Sequence, residues 1–82
     1  MPNDQGGRPI TAAELVDKLE ALLHAAEYTL KVARQGVGAE GVAKEQVALM
    51  LQDSFGALKE AHRQAFATFA VLYPEIANNL DF

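Results

Sequence analysis

The sequence predicts an all-α fold: an antiparallel two-helix hairpin with a short C-terminal helical turn, pairing with a second copy into a dimeric four-helix bundle. Three observations predict it. Apolar residues repeat as unbroken heptads from Ala12 to Val37, a glycine-rich segment spans residues 36–41, and a second helical pattern from Val47 to Tyr73 carries four of the six aromatic residues. At 82 residues the chain is one domain, and a chain of this size hides only about 60 to 65% of its extended surface on folding. It has no cysteine, which removes disulfides, thiolate zinc sites and a cysteine nucleophile together. Stability must then come from efficient helix packing or from association.

Taken in order, residues 1–10 read MPNDQGGRPI, rich in proline and glycine, and are expected to form a flexible tail ahead of a hairpin domain over 11–82. Thr11 and Glu14 have the spacing of a capping box, with Ile10 and Leu15 placed to close a hydrophobic staple, so the first helix is expected over 12–35. Its heptad rows are Ala12, Leu19, Ala26 and Ala33 beside Val16, Leu23, Leu30 and Val37. These rows predict the seam against the second helix, crossing at about 20°, and their alanines leave room for a bulkier partner. Leu15 and Leu22 widen the apolar face enough for a bundle of more than two helices.

The turn is expected over 36–41, with Gly36 as a left-handed cap. A phosphate-binding reading of these glycines fails, because the G-x-x-x-x-G-K-[ST] ending is missing and no strand precedes the loop. The second helix is expected over 42–73, meeting the first through Val47, Leu51, Ser54, Leu58 and Ala61. Pairing from the turn outward leaves its aromatic end projecting about 12 Å beyond the first helix. Pro74 disfavours helical geometry at Tyr73 and suits the start of a new helix, expected over 74–80, from which Ile76, Leu80 and Phe82 could cover the aromatics.

The candidate interface follows from that second helix. Phe55, His62, Phe66, Phe69 and Tyr73 fall within about 60° of one another, with Leu58 flanking them. A histidine on such a face usually finds a carbonyl, a carboxylate or a partner subunit, so a pH-sensitive interface is its most informative role. Gly56 sits in a row with Leu49, Arg63 and Ala70. A glycine inside a helix costs about 1 kcal/mol relative to alanine, which makes Gly56 and Arg63 candidates for a close helix crossing by a partner, or Gly56 a merely tolerated glycine.

No catalytic, cofactor or metal residues are expected. Ser54 is the lone serine, and it lies on the packing seam two turns, about 12 Å, from His62. His24 has Glu20 and Glu27 one turn away, but the positions three before His24 and His62 are Ala21 and Lys59, so the Glu-x-x-His of di-iron bundles is absent.

Charge narrows the function classes. The net charge is −4, and acidic residues outnumber basic ones six to four over residues 1–41 and five to three over 42–82. Beyond Arg63 the only charged side chains are Glu75 and Asp81, so a phosphate backbone would be repelled at that end. The expectation is a small non-enzymatic interaction module: an inhibitor, antiactivator or adaptor, of the kind carried by phages and mobile elements. It would be a homodimer that grips an unidentified protein through its aromatic face. The alternative is a nucleic-acid-binding regulator of ROP-like hairpin architecture, which would need clustered Lys and Arg. A lipid or small-ligand carrier would need the aromatic stripe to form a pocket. A secreted hairpin of the WxG type is disfavoured, since the chain has no tryptophan. With a polar start and no apolar run near the ~20 residues a bilayer requires, a cytoplasmic protein without membrane contact is expected.

Overall fold

A computed structural model describes residues 9–79. The described chain is helical, with no strand: α1 is Ala12–Gln35, α2 is Val42–Leu72 and α3 is Pro74–Ala77. The two long helices pack side by side as an antiparallel hairpin, and α3 packs on α2. Most of the tail expected over 1–10, together with Leu80 and Phe82, lies outside the described residues.

Each boundary has a local cause. The Thr11 hydroxyl accepts from the Glu14 amide, and the Glu14 carboxylate accepts from the Thr11 amide, both at 3.4 Å, so two amides that the first turn leaves open are satisfied reciprocally. At the other end Gly36 closes the helix by donating to the Ala33 carbonyl. Its backbone is right-handed, φ −81°, which corrects the expected left-handed cap; the positive-φ glycines are Gly38 at 81° and Gly41 at 64°. Gly36 is required for another reason. A Cβ there would stand 2.9 Å from Cγ1 of Val47 and 3.3 Å from the Ala33 carbonyl oxygen, so the Val47 side chain packs directly on the Gly36 backbone. The second helix ends at Leu72, because Pro74 pushes Tyr73 to φ −132°, ψ 63°. The last helix is shorter than expected, ending at Ala77 instead of residue 80.

The seam between α1 and α2 is one residue out of step with expectation on one side and as expected on the other. On α2, Val47, Leu51, Ser54, Leu58 and Ala61 are buried or half-buried, and the row continues through Ala65, Thr68 and Leu72. On α1 the covered row is Leu15, Lys18, Leu22, Ala25, Thr29 and Val32. The unbroken heptad rows are instead exposed: Leu19 by 46%, Val16 by 52%, Leu23 by 54%, Leu30 by 50% and Val37 by 83%. They are the seam residues' immediate neighbours, turned away by 100°.

The seam itself is narrow. Its fully closed residues are Val32, Ala65, Thr29, Ser54 and Thr68, so one branched aliphatic chain stands among small and hydroxylated ones. Thr29 and Thr68 donate to the carbonyls of Ala25 and Gln64, four residues back, and so hide their polar atoms. The buried Ser54 hydroxyl has no hydrogen-bond partner.

The register also corrects the expected overhang. Gly36 meets Val47, and Leu15 shares a groove with Phe69, so the aromatic half of α2 runs alongside α1. The extra length of α2, 31 residues against 24, lies at the turn, where residues 42–46 are all exposed. The molecule measures 57 × 33 × 15 Å. A thickness of 15 Å is a single layer of helices, whereas a stable domain ordinarily packs two.

Candidate functional site

A single layer has two broad faces, and the sequence makes them different. Going one residue beyond each seam position turns 100° in the same sense along each chain, and because α1 and α2 are antiparallel, both turns arrive on the same side of the hairpin. On α1 these residues are Val16, Leu19, Leu23, Ala26, Leu30 and Ala33; on α2 they are Ala48, Gln52, Phe55, Lys59, His62, Phe66, Phe69 and Tyr73. The α1 half carries no polar side chain at all. Two open grooves run along this face. One, about 320 Å³, lies between Leu15, Leu19 and Leu22 and the facing His62, Phe66 and Phe69. The other, about 330 Å³, lies at the turn and is bordered by Ala33, Gly36, Val37, Lys44, Ala48 and Leu51.

The aromatic residues form a ladder on this face. The His62 ring stacks on Phe66 with centroids 6.4 Å apart and planes within 10°; Phe66 to Phe69 and Phe69 to Tyr73 are each 5.7 Å and tilted, the offset geometry that ring quadrupoles favour. Phe55 is 56% exposed and Tyr73 43%, while Phe66, Phe69 and Leu58 are half-buried and His62 is exposed.

The two other candidates lie elsewhere. Gly56 and Arg63 point away from the seam, about 170° from its centre, on a row with Leu49, which is 63% exposed. The side chain that Gly56 lacks would project into open space, so no contact within the hairpin requires glycine there. Arg63 is engaged along its own helix: Nε donates to Glu60 Oε1 at 3.0 Å and Nη2 to Oε2 at 2.6 Å, and Gln64 Nε2 donates to the same carboxylate at 2.8 Å. The Arg63 guanidinium, and after it the Gln64 amide, hold the Glu60 carboxyl at about 2. The candidate residues therefore fall in two places: His62, Phe66, Phe69 and Tyr73 form one ladder, with Phe55 farther along the same face and Leu58 in the seam, and Gly56 and Arg63 lie behind it.

The opposite face is polar by comparison. Glu14, Asp17, His24, Lys31, Asp53, Glu60 and Gln64 lie toward it, and a small groove of about 180 Å³ is lined by Tyr28, Met50, Asp53 and Ala57. His24 is exposed, and among the described residues no three His, Cys, Asp or Glu side chains are placed to hold a metal ion. Ser54 is enclosed in the seam, whereas His62 opens to the apolar face. No helix of the described chain is long and apolar enough to cross a membrane.

Sequence reasoning found the α2 half of the apolar face and misassigned the α1 half. The unbroken heptads assign Leu19, Leu23 and Leu30 to the internal seam. The signal for the true seam was weaker, since Lys18 and Thr29 interrupt it. Comparison with known proteins adds no relative: no family model, curated protein or solved structure matches this chain.

Proposed function

We propose that this chain is a small interaction module that uses its apolar face to bind the helices of a second copy, completing a dimeric four-helix bundle, and in that form engages a partner protein that it inhibits or bridges. The observation that carries the reading is the broad apolar face, built from Val16, Leu19, Leu23 and Leu30 of α1 and Phe55, Phe66, Phe69 and Tyr73 of α2, with Gln52 and Lys59 as its polar interruptions. Each helix presents about 36 Å of length and 10 Å of width there, so the face spans roughly 700 Å², close to the ~800 Å² per partner of a specific interface. Isolated exposed leucines are ordinary, but leucines and rings gathered on one face of both helices mark a binding surface. The outer row of Leu49, Gly56 and Arg63 stays open after such pairing and is where the assembled dimer would meet its protein target. The interleaved charges of both helices favour a protein target over nucleic acid.

Light scattering tests the reading directly. The purified chain should have twice the mass of its 8.8 kDa monomer, and Phe69→Asp, which puts a carboxylate in the aromatic groove, should return it to monomer. A wild-type chain that stays monomeric at concentrations well above 100 µM, where even weak interfaces associate, rejects the dimer.

A further inference from the structure

The apolar face is not uniform along its length, and its gradient of side-chain size specifies how two copies fit. At the open end the groove is walled by Leu15, Leu19, Leu22, His62, Phe66 and Phe69. At the turn the corresponding groove is lined by Ala33, Gly36 and Ala48, with Val37, Lys44, Val47 and Leu51. One end stands high with rings and the other is low, with small side chains bordering it.

Resting on the dimer proposed above, we infer that the occupant of this face is a second copy laid down in the opposite direction, so that the turn of each hairpin covers the aromatic groove of the other. Two face-to-face arrangements preserve two-fold symmetry. With the turns at the same end, α1 lies over the partner's α2, ring meets leucine at one end, and alanine meets alanine at the other. The layers would be wedged apart by Phe66 and Phe69 and would leave voids beside Ala33 and Ala48. With the turns at opposite ends, α1 lies on α1 and α2 on α2. In the Gly36–Val47 register the middle of the face falls between Leu23 and Ala26 on α1 and beside Lys59 on α2, so Phe69 sets down near the partner's Ala48, Val16 near the partner's Ala33, Leu23 near the partner's Ala26, and Phe55 beside the partner's His62. Phe69, Val16 and Leu23 then each meet an alanine, while Leu19 packs on the partner's Leu30, which favours filling the core over wedging it apart.

The arrangement has one electrostatic cost. It brings the two Lys59 side chains toward the axis and sets each Lys44, which borders the turn groove, beside the partner's aromatic end; all four are exposed in the single hairpin, and their long stems can carry the ammoniums out to water, where salt screens them.

The cysteine-free chain allows a direct test by disulfide trapping under a mild oxidant. In the opposite-end dimer the two copies of residue 23 flank the axis, about 4.5 Å apart along the helices, so Leu23→Cys should cross-link to itself about a hundredfold faster than Asp53→Cys on the polar face, as expected when pairing is held at millimolar effective concentration. In the same-end dimer the two α1 helices are diagonal neighbours, too far apart for the ≤ 7 Å Cα separation a disulfide needs. There an equimolar mixture of Ala26→Cys and Phe55→Cys would cross-link into heterodimers instead, and light scattering of the reduced variants confirms that each still associates.

Rapid trapping of Leu23→Cys with a slow mixture supports the inference. A fast mixture with a slow Leu23→Cys overturns the orientation while the dimer stands, as does a dimeric mass with neither pair trapped. A monomeric wild-type chain removes the dimer itself, and with it the orientation.

Discussion

The seam and the apolar face of α1 are neighbouring stripes, one residue apart in sequence and opposite in character. The inner stripe, between the two helices, contains Lys18, Ala25 and Thr29 along with its leucines and Val32; the outer stripe is leucine, valine and alanine throughout. The stripe richer in apolar side chains is the one the hairpin leaves open. A short connection already brings α1 and α2 together at little entropic cost, so their contact can tolerate a hydroxyl or an ammonium stem. A surface that must recruit a separate molecule also has to overcome the entropy of association, and needs the more apolar face.

This comparison breaks most visibly at Val32 and Leu30. Val32 is 1% exposed in the seam and Leu30 is 50% exposed on the face. Val32→Ala should lower the unfolding free energy by about 2 kcal/mol, from lost burial and the cavity left behind, and should do so at every protein concentration. Leu30→Ala should destabilise only where the chain is associated, so its melting temperature should converge on that of wild type as both are diluted through the dissociation range. Thermal melts over a hundredfold range of concentration separate the two. If Leu30→Ala costs as much in dilute monomer as Val32→Ala, the stripes have been assigned the wrong way round.

The glycines give a smaller contrast of opposite sign. At Gly36 an added methyl would meet Val47 Cγ1 at 2.9 Å, and a β-branched neighbour cannot swing aside without leaving its rotamer. Gly36→Ala should therefore destabilise by about 1 to 2 kcal/mol. At Gly56 the added methyl meets nothing, and Gly56→Ala should stabilise α2 by up to about 1 kcal/mol through helix propensity alone. Urea midpoints check both. A Gly56→Ala variant that is more stable yet no longer binds its protein target would show that the outer row is where a partner helix crosses closely.

The helices, their capping box, the turn and the α2 side of the seam were legible because each is written in local terms: a Thr and Glu three apart, a run of glycines, a row at helical spacing ending in a proline. The rotation of α1 was not. Its apolar arc is wide enough to hold two stripes, and periodicity alone ranks the purer one first, whereas the antiparallel register is decided by Gly36 meeting Val47. The aromatic set was legible as a stripe on α2, but its company was not, since Leu15, Leu19 and Leu22 join His62, Phe66 and Phe69 only through that register. Gly56 and Arg63 were legible as a row of their own, away from the aromatic stripe, although they stand next to Phe55 and His62 in sequence. Half a helical turn separates them, and distance along a helix says little about sharing a face.

The smallest effect tests whether the polar pair behind the aromatic face is structural at all. Glu60 carries its bonds from Arg63 and Gln64 in the folded chain, and its carboxyl is lowered from 4.5 to about 2. A group lowered on folding contributes stability that is complete above its unfolded value and is lost as pH falls toward the folded one. Glu60→Gln should therefore be slightly less stable than wild type at neutral pH, and the two should converge as pH falls from about 4.5 to about 2. Because Glu60 and Arg63 remain 53% and 67% exposed in their side chains, water and salt screen the pair, and the difference at neutral pH should shrink further in molar salt. A difference that survives salt, or that widens in acid, would mean that Arg63 answers to something other than Glu60, and the outer row would then have a second charged neighbour to be found.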